Sequence, residues 1–295
     1  MKDEKITEFM RRLFSIAYFS LWFMIISGCA QQKDYIVTIK TSHGNMVAIL
    51  YDETPKHKEN FIKLAREHFF DSTLFHRVIE GFMIQGGDPD SKSALPGQPL
   101  GRGGPGYTID AEFNPKLIHE RGALSAARIG DQQNPMKASN GSQFYVVQGR
   151  VVTEAELKLD PEKYQLALRQ FFQNDANRPL SDSLVALLQS GDMKTYQDYL
   201  LKIRPRVEKA TGMNTTKEVS PQRLKAYTTV GGAPDLDGGY TVFGKVIKGM
   251  EVVDKIAAVQ KGPGGERPLE DIPMTVIVEE LPKKKIEELY GYKYE

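Results

Sequence analysis

The stretch FHRVIEGFMIQGGDP, residues 75–89, sets Arg77, Phe82, Met83 and Gln85 close together and closes on the pair Gly86-Gly87. It has the density of an active site, yet none of these four side chains is a nucleophile. Phe82 and Met83 are adjacent, and neighbours on a strand face opposite sides. Both can reach one surface only if the strand is bulged or ends there, and the glycine pair fits such an ending.

Outward from this stretch, short β-rich runs recur. YIVTIKT and MVAILYD, joined by turn residues 42–45, read as a hairpin. Thr54-Pro55 then opens a helix with Phe61, Leu64 and Ala65 on one face, ending near His68. LFHRVI, FMIQGG, GALSAA, SQFYVVQG, YTVFGKVI and MTVIVEEL follow, separated by Gly- and Pro-rich connections. Many short strands with few helices argue for a sandwich or barrel. Residues 153–212 break the pattern. Thr153 and Glu156 are spaced as a capping box, Asp160-Pro161 starts a second helix, and Tyr164, Leu168, Phe171 and Phe172 form a buried helical stripe. This segment reads as two to four helices inserted in a β domain.

Acidic and basic residues nearly cancel in the 295 residues, for a formal net charge of +1, so no electrostatic footprint calls for a nucleic-acid partner. There is no nucleophile elbow, no His-Glu-x-x-His pair and no cysteine pair, which points to no metal and no cofactor. GRGGPG at 101–106 and KGPGGERP at 261–268 lack phosphate-loop context and read as turns. The N-terminus reads as an address: charged residues to Arg12, a short apolar run, then Ser27-Gly28-Cys29 with the only cysteine. This resembles a bacterial lipoprotein signal lipidated at Cys29; an uncleaved anchor and an ordinary secretory signal are the alternatives. The final PKKKIEELYGYKYE reads as a solvated or frayed tail.

FHRVIEGFMIQGGDP, followed in order by GALSAA, NGSQFYVV and LDGGYTVFGKV, closely resembles the cyclophilin family of peptidyl-prolyl cis-trans isomerases. The resemblance implies a mainly β fold, a closed eight-stranded antiparallel barrel with two flanking helices, plus the helical insertion. The expected organisation is a signal at 1–28, a tether at 29–34, a discontinuous barrel at 35–150 and 223–281, the insertion at 151–222 and a tail at 282–295. It also implies isomerisation of X-Pro bonds in proline-containing peptides; together with the lipoprotein-type signal, the expectation is a lipid-anchored, periplasm-facing monomer acting on folding exported proteins. The alternative is a non-catalytic proline-segment binder or chaperone of the cell envelope.

Carried over by the resemblance, Arg77 is the catalytic donor to the prolyl nitrogen. Phe82, Met83, Tyr145, Leu236 and Tyr240 supply the proline-binding wall. Gln85, Ala127, Arg128 and Gln143 bind the substrate backbone and line its groove, while Phe144 turns inward to the core. Arg128 and Asp235 stand where many members carry asparagine and tryptophan. The insertion leaves after FYVVQG and returns before Leu236, which makes it either a flap beside the groove or a spacer.

Overall fold

The computed structural model describes residues 32–262 and 265–294, so the signal at 1–28 and Cys29 lie outside the described residues. In chain order the elements are β1 (Lys33–Thr41), β2 (Gly44–Leu50), α1 (Pro55–Arg66), β3 (Arg77–Ile79), β4 (Met83–Gly86), β5 (Thr108–Ile109), β6 (Ala123–Ala126), β7 (Ser139–Asn140) and β8 (Phe144–Val147). Five helices follow: α2 (Glu154–Leu157), α3 (Pro161–Phe171), α4 (Arg178–Ser190), α5 (Met193–Thr211) and α6 (Pro221–Thr229). β9 (Val242–Lys248), α7 (Met250–Ala257), β10 (Thr275–Pro282) and α8 (Lys283–Tyr290) complete the chain.

Eight strands form one sheet in the order β10-β1-β2-β9-β6-β8-β4-β3, and β5 and β7 form a separate pair. The ladders from β2 through to β3 are all antiparallel. The expected closed barrel is not what forms: no ladder joins the end strands β3 and β10, and the sheet is not closed by hydrogen bonds. The cause is local. β3 is only three residues long, and it is the backbone before it, at 72–75, that meets the backbone before β10: Met274 N–H donates to the Thr73 carbonyl at 2.9 Å and Phe75 N–H to the Ile272 carbonyl at 3.0 Å. Leu74 and Pro273 meet in a single isolated bridge outside both strands. The Val78 N–H of β3 donates instead to the Glu266 carbonyl at 2.7 Å.

Residues 37–278 make one compact unit. Its core is aromatic where α1 packs on the sheet: Phe61 stacks on Phe70 at 4.8 Å, and both meet Phe144 edge-on at 5.3 and 5.7 Å. Burying each such ring is worth about 1.5–3 kcal/mol. The helices between β8 and β9 carry a core of their own, with Tyr164, Ala167, Phe171, Leu184, Ile203 and Val207 buried and Leu168 and Phe172 packed beside them. The capping box at Thr153 and Glu156 and the Asp160 cap open α2 and α3. α5 runs through Pro205 and stops at Gly212 in the left-handed conformation. Residues 32–36 and 279–294 belong to a second unit. There the tail is ordered, α8 burying Ile286, and the Lys283 N–H donates to the Gln32 carbonyl at 2.8 Å.

The helical segment is pinned at its stem. Arg150 and Gly232 exchange backbone hydrogen bonds of 3.3 and 3.0 Å. A Cβ on Gly149, whose φ is +65°, would lie 2.3 Å from the Gly232 Cα. Only glycine serves both needs. Gly149→Ala should therefore destabilise the protein by about 2–4 kcal/mol, read as a lower urea midpoint; a midpoint within error of the parent would contradict the close approach.

Candidate active site

Strand register assembles the site. Arg77 on β3 pairs with Gln85 on β4, Gln85 pairs with Tyr145 on β8, and Tyr145 pairs with Ser125 on β6. One row thus crosses four strands. Because facing residues in a ladder share a face, Arg77, Gln85 and Tyr145 point to the same side. Phe144, one residue from Tyr145, points to the opposite face and into the phenylalanine core.

Phe82 is not a strand residue. It closes a turn, its N–H donating to the Ile79 carbonyl at 3.0 Å, and β4 begins only at Met83. Alternation therefore does not apply between them, and both side chains reach one pocket. The strand starts there, whereas the glycine pair had suggested that it ends there.

Arg77, Phe82, Met83, Gln85, Ala127, Arg128, Tyr145, Leu236 and Tyr240 line a single cavity of about 190 Å³. That is below the ~300–1,000 Å³ of pockets for drug-sized ligands, and it suits one small side chain. Gln143 stands just outside, accepting from the Gln85 Nε2 at 3.0 Å and donating its own Nε2 to the Gly103 carbonyl at 2.7 Å. The amide of Gln85 is thereby oriented, with Oε1 towards Arg77 Nη1 at 3.4 Å. Ten of the eleven residues singled out in the sequence are thus placed at or beside one cavity, and the eleventh, Cys29, lies outside the described residues. No residue of 151–222 appears in the lining.

Arg128 lines the cavity but its charge is engaged elsewhere. Its guanidinium lies 4.3 Å from the Tyr240 ring centre, donates Nε to the Gly239 carbonyl at 2.6 Å and pairs with Asp131 at 2.5 Å, leaving the side chain 5% exposed. It braces the Tyr240 wall.

Sequence reasoning missed the network behind that wall. The His119 ring is buried between Asp237 Oδ1, 2.9 Å from Nδ1, and the Tyr145 hydroxyl, 3.0 Å from Nε2. With Nδ1–H donated to the carboxylate, Nε2 is left to accept from Tyr145 O–H. Asp237 also accepts from the His119 N–H at 2.9 Å and the Tyr227 hydroxyl at 2.7 Å, and it pairs with Arg223 at 2.9 Å. Tyr145 and Tyr240 meet edge-on at 6.0 Å. Burial holds the Tyr145 hydroxyl well above the usual phenol range, so it stays a neutral donor. For Asp237, burial pushes the carboxyl up, but hydrogen bonds from His119 and Tyr227 outweigh it and leave the group below its ordinary value of 3.8. His119 and Asp237 lie 118 residues apart, and neither carries a local signature. Among the described residues no three His, Cys, Asp or Glu side chains gather as a metal site, and no helix is long and apolar enough to cross a membrane.

A carboxyl with a depressed folded pKa stabilises above its unfolded value and loses that contribution as pH falls through the folded one. At neutral pH Asp237→Asn should cost about 1–3 kcal/mol. Below pH 3.8 the gap from the parent should shrink as the parent's own Asp237 protonates. Urea midpoints at the two pH values check this, and a gap that widens in acid would refute the network.

The family model for cyclophilin type peptidyl-prolyl cis-trans isomerase/CLD matches residues 36–164 and 206–279. A Streptococcus pyogenes protein named "Putative bifunctional phosphatase/peptidyl-prolyl cis-trans isomerase" is 30% identical over 80% of this chain, which spans only 37% of that longer protein. A Staphylococcus saprophyticus protein named "Putative peptidyl-prolyl cis-trans isomerase" is 31% identical over 79% of this chain and 85% of its own length. Among solved structures, a Cryptosporidium parvum cyclophilin type peptidyl-prolyl cis-trans isomerase aligns with TM-score 0.49 and 21% identity, covering 84% of this chain and 98% of that one. The sequence blocks, the matched span and the relatives of similar length agree: the chain belongs to the cyclophilin-type peptidyl-prolyl cis-trans isomerases.

Proposed function

We propose that this isomerase works by hydrogen-bond donation from Arg77 to the prolyl nitrogen of an X-Pro segment seated in the 190 Å³ cavity. The observation that carries this reading is the composition of the lining: two arginines, of which Arg128 is tied to Gly239 and Asp131, and one glutamine beside Phe82, Met83, Ala127 and Leu236, with no serine, threonine, cysteine or carboxylate among the residues. Amide resonance sets a barrier of about 18–20 kcal/mol to rotation about X-Pro. As the bond twists, the nitrogen pyramidalises and recovers a lone pair, so a donor aimed at it binds the twisted state better than the planar one. An arginine is always charged and presents rigid donors. Phe82, Met83, Leu236 and Tyr240 hold the ring while the preceding carbonyl turns, and Gln85 steadies the substrate backbone. No step requires a cofactor.

The same reading places the enzyme on exported proteins whose folding waits on proline, a process of tens to hundreds of seconds when uncatalysed. Its support is the apolar run and Ser27-Gly28-Cys29 near the N-terminus, which make lipidation at Cys29 and an envelope location the proposed address. Labelling by a fatty-acid analogue should vanish in Cys29→Ala; persistent label would exclude that thiol as the lipid site.

Removing one directed donor of this kind typically lowers turnover by about 10²–10³-fold. Arg77→Ala should lose that much kcat/KM on X-Pro peptides and should no longer accelerate proline-limited refolding. Parental rates in the variant would defeat the donor mechanism. Turnover by neither protein, with proline peptides still bound by both, would favour a binding module.

A further inference from the structure

We propose that Glu266 is a positioning residue for Arg77: its carboxylate grips the guanidinium from outside the proline cavity and aims the free N–H groups into it. The inference rests on the reading of Arg77 as the donor. Glu266 Oε2 lies 2.6 Å from Arg77 Nε, and Oε1 lies 3.4 Å from Nη2. Gln85 Oε1 accepts from Nη1 at 3.4 Å. Arginine has five N–H donors in a planar fork. The two partners take one on each of its three nitrogens, leaving one free N–H on Nη1 and one on Nη2.

The direction of approach separates positioning from blocking. Arg77 borders two hollows: the proline cavity, and a larger groove of about 990 Å³ that it shares with Gln85, Arg128 and Glu266. Glu266 lines the groove and not the cavity. The carboxylate therefore meets the guanidinium from the groove, without entering the lining of the cavity.

The loop that presents Glu266 is fixed at that residue and at the next. The Glu266 carbonyl accepts from the Val78 N–H at 2.7 Å, one residue along the strand from Arg77. The next residue, Arg267, donates Nη1 to the carbonyls of Leu95 and Gln98 at 3.0 and 2.9 Å and pairs with Asp271 at 2.8 Å. A carboxylate on so anchored a backbone can hold a fork in one plane. The ion pair is half exposed, at 36% and 49% of the two side chains, so its contribution to stability is small. What it supplies is orientation, because a two-point grip restricts a side chain that otherwise samples many rotamers.

The test uses the full chain with Glu266→Ala and Glu266→Gln, read by X-Pro peptide kinetics and by the ¹H–¹⁵N resonance of the Arg77 Nε–H. In Glu266→Ala, kcat should fall by about ten- to a hundredfold with KM little changed, and the Arg77 resonance should broaden or exchange faster. Glu266→Gln, which keeps one hydrogen bond and the shape, should fall between the two and guards against misfolding of the alanine variant. In an Arg77→Lys background, where the fork is gone, Glu266→Ala should change kcat no further.

A parental kcat in Glu266→Ala overturns the proposal, whether or not the resonance moves. So does a raised kcat, which would make Glu266 an inhibitory latch. A lowered kcat with an unchanged Arg77 resonance overturns it too, since the effect would then come through another path. If Arg77→Ala itself retains activity, it is the donor reading that fails.

Discussion

The site depends on one constraint of register. Arg77, Gln85, Tyr145 and Ser125 lie opposite one another across β3, β4, β8 and β6. Side chains on a strand alternate, so a slip of one residue in any of these ladders would turn its contribution into the opposite face. The opposite face here is the phenylalanine core around Phe144. Core and site therefore hold each other in place: the row cannot slip without exposing Phe144 or burying a charged guanidinium, and both are costly. The proposed donation from Arg77 to a twisting amide needs fixed direction more than it needs reactivity, and a row across four strands provides direction from backbone geometry.

The remaining wall comes from a different part of the chain and is fixed by polar groups. Residues 234–236 form a 3-10 turn before β9, and Leu236 and Tyr240 flank Asp237. That carboxylate binds His119 and through it the Tyr145 hydroxyl, which ties the wall to the strand row. It also binds Arg223 and Tyr227 of α6. The helical segment thus touches the pocket from behind through one shared anion, while none of its 151–222 residues enters the lining. A buried carboxylate with this many donors is stable only while all are present, so the wall and the base of the helices are coupled energetically without direct contact with a bound ring.

Much of this was legible in the sequence, for physical reasons. β pieces announce themselves by alternation and by glycine turns, the helical segment by its caps and stripe, and the lining residues by the resemblance of four ordered blocks to the cyclophilins. Closure was not legible. Whether a sheet becomes a barrel depends on its two end strands, and here one is three residues long and the segments that meet, 72–75 and 272–274, lie before the two strands. The joint reach of Phe82 and Met83 was anticipated as a strand irregularity but put at the wrong end, because only hydrogen bonding shows that the strand starts at Met83. Glu266 was invisible: it sits in a glycine-rich turn 189 residues from Arg77. His119 and Asp237 are ordinary residues until the fold buries them side by side.

The open edge and the site are connected. A strand at the end of a sheet leaves N–H groups that need partners, and the loop at 266 supplies one to Val78. By satisfying that edge, the loop brings the Glu266 side chain beside the next residue on the strand, Arg77. In a fully laddered barrel a neighbouring strand would occupy this position, with its own side chains alternating in and out. The short β3 leaves room for a loop residue to reach two nitrogens of the guanidinium. The short end strand thus leaves its edge to a loop, and that loop carries the acidic side chain that reaches Arg77.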